Sequence, residues 1–162
     1  MDIVKDGHIE ADTFTHLDQD ATLPKGGFSV SLTRWQSEKS ALLATGQPLA
    51  VRVLPADTLE DLREDLALLS MVVIEMNPFT DGRSFTQIRV LREHLGFRGE
   101  IRVLGDFLRD QMFFLHRLGA NAFEFAPGTD LKDRLKAFEE FTVTYQAASD
   151  QPQPLFRRRA LP

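Results

Sequence analysis

A chain of 162 residues with 43% hydrophobic and 27% charged residues suits a single globular domain with its own core. It holds no cysteine, which excludes disulfides, a thiol nucleophile, thiolate zinc and an iron–sulfur cluster ligated by this chain, so any redox role would need an organic cofactor or an electron-carrying partner. The net charge of -5 argues against general nucleic-acid binding.

Residues 1–23 predict a short β-hairpin extension, DIV and HIEADTF around the Asp-Gly turn of KDGH, followed by the loop LPKGG. From Phe28 strands and helices alternate. FSVSL is a strand, TRWQSEKSALLA a helix ending near Gly46, and LAVRVL a strand. PADTLEDLREDLALLS predicts a helix, with Asp57 and Glu60 as a capping box and Leu59, Leu62, Leu66 and Leu69 at helical spacing. MVVIEM is the clearest buried strand. The helix DGRSFTQIRVLREHL ends at Gly96, and the strand EIRVL follows. Next come the helix DFLRDQMFFLHRL stopped by Gly119, the strand AFEFA, and a helix from Thr129 to about Ala147.

Residues 149–162 form a tail with three arginines and one aspartate, read as a solvated terminus or as a docking peptide for an acidic partner. Residues 1–148 therefore read as one α/β domain, with the hairpin as its N-terminal extension. Strand–helix units with short loops imply parallel strands joined by right-handed crossovers. The expected fold is a central parallel sheet of about five strands in β–α alternation, preceded by the hairpin. An open doubly wound sheet comes first and a partial barrel second, since a complete eight-unit barrel needs roughly 200 residues or more. No apolar run approaches the roughly 20 residues of a bilayer span. The start MDIVKDGHIEADTF has neither the basic nor the apolar region of a secretory signal, so a cytoplasmic protein is expected.

In such sheets ligands bind beyond the carboxyl ends of the strands. Two loops there stand out: Asp81-Gly82-Arg83-Ser84 after MVVIEM, and Gly105-Asp106 running to Asp110-Gln111 after EIRVL. Asp81 and Asp106 are placed as helix N-caps. Arg83 and Ser84 fall in a first helical turn, where free amides and the positive dipole end favour an oxyanion that a planar guanidinium would also hold. An ion pair of Arg83 with Asp81, Asp106 or Asp110 is the competing reading. Residues 77–111 hold six arginines and no lysine. Arg92 falls inside the apolar stripe of Phe85, Ile88, Leu91 and Leu95, so it must pair with a carboxylate, Glu75 being one candidate, or with backbone carbonyls. Arg89, Arg98 and Arg102 read as surface positions. Gln111 lies on an apolar helix face, as a ligand contact or a satisfied core amide. Phe79, Phe85, Phe107 and Phe113 read as core residues that could also line a pocket or an interface. His8, His16, His94 and His116 form no metal-ligand pair, with His94 and His116 on exposed faces. No nucleotide or hydrolase fingerprint is present, so neither a metal nor a cofactor is expected.

The stretch from residue 78 to residue 125 resembles the proteobacterial domain of unknown function 934. The likeness rests on Phe79, Asp81, Gly82, Arg83, Leu91, Arg92, Gly99, Arg102, Gly105, Asp106, Asp110, Gln111, Arg117, Gly119 and Phe123, with LTRW and PLFRRRA in support. The resemblance implies a place in assimilatory sulfite reduction, beside the sulfite reductase haemoprotein, in an oxidoreductase-associated role. It carries over no catalytic residue. The function expected is an accessory protein that docks on the haemoprotein or supports electron delivery to it. The alternatives are a small enzyme or sensor holding an oxyanion or phosphorylated metabolite at Arg83, and a structural subunit of a homodimer.

Overall fold

The protein is described here by a computed structural model covering residues 1–78 and 80–159. Phe79 and the last three residues of the expected tail lie outside the described residues. The strands are β1 (Asp2–Lys5), β2 (His8–Ala11), β3 (Phe14–His16), β4 (Gly27–Ser31), β5 (Leu49–Val53), β6 (Met71–Met76), β7 (Glu100–Gly105) and β8 (Ala122–Glu124). The helices are α1 (Leu32–Leu43), α2 (Arg83–Arg89), α3 (Arg109–Leu118), α4 (Leu131–Leu135) and α5 (Leu155–Arg158). A π-helical turn, Val90–His94, extends α2.

The eight strands of the described residues make one sheet in the order β2-β1-β8-β7-β6-β5-β4-β3. β3 to β8 run parallel and pair in chain order, while β1 is antiparallel to both β8 and β2. This corrects the expectation of about five parallel strands behind a separate hairpin. A doubly wound sheet needs a point where strand order reverses, and β3 to β8 have none. Successive right-handed crossovers in one direction put all the connecting segments on one face, and the sheet curls away from them. The result is a mixed, curled half-barrel, nearer to a partial barrel than to an open doubly wound sheet.

Chain connectivity shows how far the curl goes. β2 and β3 are opposite edges of the sheet, yet only Asp12 and Thr13 separate Ala11 from Phe14. Three Cα–Cα steps span at most about 11 Å, whereas eight strands laid flat would put the edges about 34 Å apart. The predicted HIEADTF run is therefore two strands. Its first half completes the hairpin, over an Asp6-Gly7 turn in which both residues have positive φ. Its second half crosses to the far edge.

Alternation along the strands sorts side chains between the two faces. Phe28, Val30, Val51, Val53, Val72, Ile74, Ile101, Val103 and Phe123 face the helices and join Trp35, Leu42, Ile88, Leu91, Met112 and Leu115 in the main core. The inner face holds a small apolar cluster of Ala50, Met71 and Val73 against Phe14 and Leu104. Its remaining strand positions are largely polar and include Ser29, Arg52, Glu75, Arg102 and Glu124.

Two predicted helices are much reduced. Residues 55–70 form two 3-10 turns, Leu59–Leu62 and Leu66–Leu68. All four leucines of the expected stripe are buried. No capping box forms, because Asp57 Oδ2 accepts the Leu54 amide (2.8 Å) while Glu60 pairs with Arg63. The helix expected from Thr129 to Ala147 is only α4 and a 3-10 turn, Lys136–Phe138. Beyond it the chain runs back along α3, where Arg109 meets Glu140 (2.6 Å) and Ser149 N–H donates to the Arg117 carbonyl (3.0 Å), while Arg158 of α5 donates to the Thr144 carbonyl (2.6 Å) within that returning stretch.

Candidate functional site

The two loops singled out from sequence leave the carboxyl ends of neighbouring strands. Met76 pairs with Gly105, and the Asp106 amide donates to the Met76 carbonyl (2.8 Å). Gly105 has φ +117°, and a Cβ there would lie 2.5 Å from the Met76 carbonyl oxygen, so only glycine lets the loops approach this closely. The loops thus sit side by side, and the Phe85 and Phe114 rings, with centroids 5.6 Å apart, join their helices.

Within this face the polar groups bond largely to one another. Arg83 is 62% exposed and grips Asp81 through Nη2 (2.6 Å) and Nε (3.0 Å), while its own amide donates to Asp81 Oδ1 (3.1 Å). Those three bonds hold the Asp81 carboxyl at a pKa of about 2, well below the usual range. Asp81 caps the turn ahead of the helix, and Gly82 is the N-cap residue. Ser84 is buried and donates to the Glu75 carbonyl (3.2 Å). Gln111 accepts the Leu108 amide (3.0 Å) as part of the α3 cap, and Asp110 accepts the Gln111 amide (3.0 Å).

Arg92 and Glu75 lie on opposite sides of the sheet and do not pair. Arg92 bonds only backbone carbonyls in this region: Gly119 (3.0 and 2.8 Å), Phe97 (2.6 Å) and Gly99 (3.2 Å). Glu75 faces the interior, where Arg52 Nε lies 3.5 Å from it. Arg89 and Arg98 are exposed as expected. His116 is part-buried, edge-on to Phe138, rather than on an exposed face.

Arg102 overturns the surface reading. It points into the half-barrel at 2% exposure and bonds Glu100 (2.8 Å), Asp12 (2.9 Å) and Glu124 (3.2 Å). Burial disfavours its charge, but the neighbouring carboxylates outweigh that and raise its pKa above the ordinary arginine value. Lys5 adds a bond to Glu100 (3.1 Å). From Glu124 the network runs to His16 Nε2 (2.7 Å) and from His16 Nδ1 to Ser29 Oγ (2.5 Å). β3 and β8 are five places apart in the sheet, so the His16–Glu124 contact bridges the interior.

Hydroxyl, imidazole and carboxylate stand here in the order of a nucleophilic triad. Ser29, however, is completely buried, so no substrate can reach its oxygen, and the relay serves the scaffold. Asp12, His16 and Glu124 also offer atoms within 4.8 Å of one another, a metal-like spacing. Arg102 bridges both carboxylates and already supplies the cation. Sequence reasoning missed this network because its members come from positions as far apart as 12 and 124. The only local signal was the polar residue at alternate positions in FSVSL, EIRVL and AFEFA.

The fold and this face define a small α/β half-barrel with two abutting, internally bonded loops at the carboxyl ends of β6 and β7. The chain belongs to the family described as a bacterial protein of unknown function (DUF934), whose model matches residues 50–156, about two-thirds of the chain. No curated protein matches it. Among the described residues no helix is long and apolar enough to cross a membrane.

Proposed function

We propose that this chain is a cytoplasmic accessory protein of assimilatory sulfite reduction that docks on the sulfite reductase haemoprotein through the paired-loop face. The setting rests on the family resemblance. The docking role rests on one observation: the loops assemble side by side, yet Asp81, Arg83, Ser84 and Gln111 are engaged within the chain. Such a face presents fixed shape and charge rather than a poised nucleophile or base. Leu108 and Phe114 supply apolar contact area there, at 47% and 51% exposure. Exposed aromatic groups beside arginine are the usual anchors of protein interfaces.

The test is analytical size exclusion of the purified chain mixed with the haemoprotein at low salt. Co-elution is expected, with loss in a Phe114→Asp, Arg83→Ala double variant that keeps its circular dichroism. Separate elution of the unmodified chain at every ratio would end the docking proposal.

A further inference from the structure

A cavity of about 320 Å³ opens at the carboxyl ends of β4, β5 and β6, where Ser31, Thr33, Arg52, Asp57 and Glu75 meet. A larger one, of about 440 Å³, lies by Leu66, Leu69 and Gly99, next to the amino ends of β6 and β7. Parallel α/β sheets place ligands at the carboxyl end, so the smaller cavity has the position, and roughly the volume, of a small-molecule site.

Its central charges, Arg52 and Glu75, form a loose ion pair at 3.5 Å. Arg52 donates through Nη2 to the Leu17 carbonyl (2.6 Å), which anchors the guanidinium. Its Nε is buried without a hydrogen-bond partner and lies 3.5 Å from Glu75 Oε1, too far for a hydrogen bond. The Arg102 cluster two strands away on β7 closes to 2.8–3.2 Å, so the sheet interior can form tight ion pairs. At Arg52 the pair stays looser, and both partners border the cavity. Asp57 commits Oδ2 to the Leu54 amide (2.8 Å), which leaves Oδ1 to accept. Gln87, buried on α2, donates to the Leu54 and Asp57 carbonyls (2.8 and 3.1 Å) and fixes this wall from behind. The N-terminus of the 12-residue α1 adds its positive dipole end at Thr33, behind the N-cap Ser31, whose Oγ accepts the Arg34 amide (3.2 Å).

We propose that this cavity binds a small amphoteric molecule of the α-amino-acid class. Its carboxylate lies against Arg52 and the start of α1, and its ammonium lies against Glu75 and Asp57. A plain anion would face two carboxylates, and a plain cation would face Arg52. A zwitterion satisfies both.

The test is amide NMR of the full chain, titrated singly with the L-α-amino acids, their primary amides and their N-acetyl derivatives. Saturable shifts at Ser31, Thr33 and Glu75 are expected with at least one amino acid and with neither of its derivatives. Arg52→Gln should weaken that binding by about tenfold or more, the effect of removing one partner of a desolvated charge contact. Glu75→Gln, which keeps shape and Arg52, should lose discrimination against the N-acetyl derivative and serves if Arg52→Gln does not fold. The proposal fails if no amino acid produces saturable shifts, if either derivative binds equally well, or if both folded variants bind as the parent does.

Discussion

Arg102 shows how much one side chain can carry. Its guanidinium bonds Asp12, Glu100 and Glu124 inside the sheet, where water cannot. Removing one partner of a buried ion cluster strands the others, at a cost of about 3–5 kcal/mol. Arg102→Ala should therefore lower the unfolding free energy by about that much in a urea titration. Adding Asp12→Asn and Glu124→Gln to it should recover part of the loss. In EIRVL the residue was visible but its surroundings were not: a lone arginine between Ile101 and Val103 fits an exposed strand face equally well. Asp65 offers a second test, with pH. Burial alone would raise its pKa, but hydrogen bonds from Lys39 and from Trp35 Nε1 (2.8 Å), together with the Lys39 charge, leave it below the usual range. A depressed folded pKa stabilises the protein above the unfolded value near 4, and that contribution is lost as pH falls through the folded value. Trp35 is the only tryptophan, so its fluorescence should report the acid transition. Asp65→Asn should flatten the dependence of stability on pH below about 4.

Among the elements, what could be read from sequence was what local chemistry decides. Gly119 and the Asp6-Gly7 turn mark boundaries that the chain obeys, because helix stops and left-handed turns depend on nearest neighbours. The segment 55–70 misled because leucines three and four apart bury one stripe equally well as an α-helix or as two 3-10 turns. Gly105 lies between these cases. It was legible as a loop glycine, yet its requirement comes from Met76 on the adjacent strand. Gly105→Ala combines a left-handed φ with a 2.5 Å contact to backbone. It should cost about 1–3 kcal/mol, and amide exchange should rise at Asp106, whose bond to Met76 would stretch. Gly96→Ala shares only the positive φ, with open space at its Cβ, and should cost less.

For the whole molecule, the question is what keeps a half-barrel shut when its two edge strands are not paired. Strand order was the least legible feature, because no local pattern says that Phe14 belongs at the opposite edge from Ala11. Two devices hold those edges together. One is covalent: the Asp12-Thr13 connector, too short to allow a flat sheet. The other is ionic: Asp12 accepts the Phe14 amide (3.0 Å) and binds Arg102 (2.9 Å), while His16 reaches Glu124. They can be separated, because loop-closure entropy grows slowly with length and a flexible Gly-Ser insertion after Thr13 should cost less than about 1 kcal/mol if tethering is all the connector does. Asp12→Ala keeps the connector but removes one of three carboxylates on Arg102, so it should cost about 1.5–3 kcal/mol, the worth of a hydrogen bond to a charged group. Hydrogen exchange should then rise selectively at Leu17, whose amide bonds the Ser29 carbonyl on the next strand (2.9 Å). The insertion should leave Leu17 protected. If the insertion instead opens β3 as much as Asp12→Ala does, connector length closes the barrel and the ionic network only fills it.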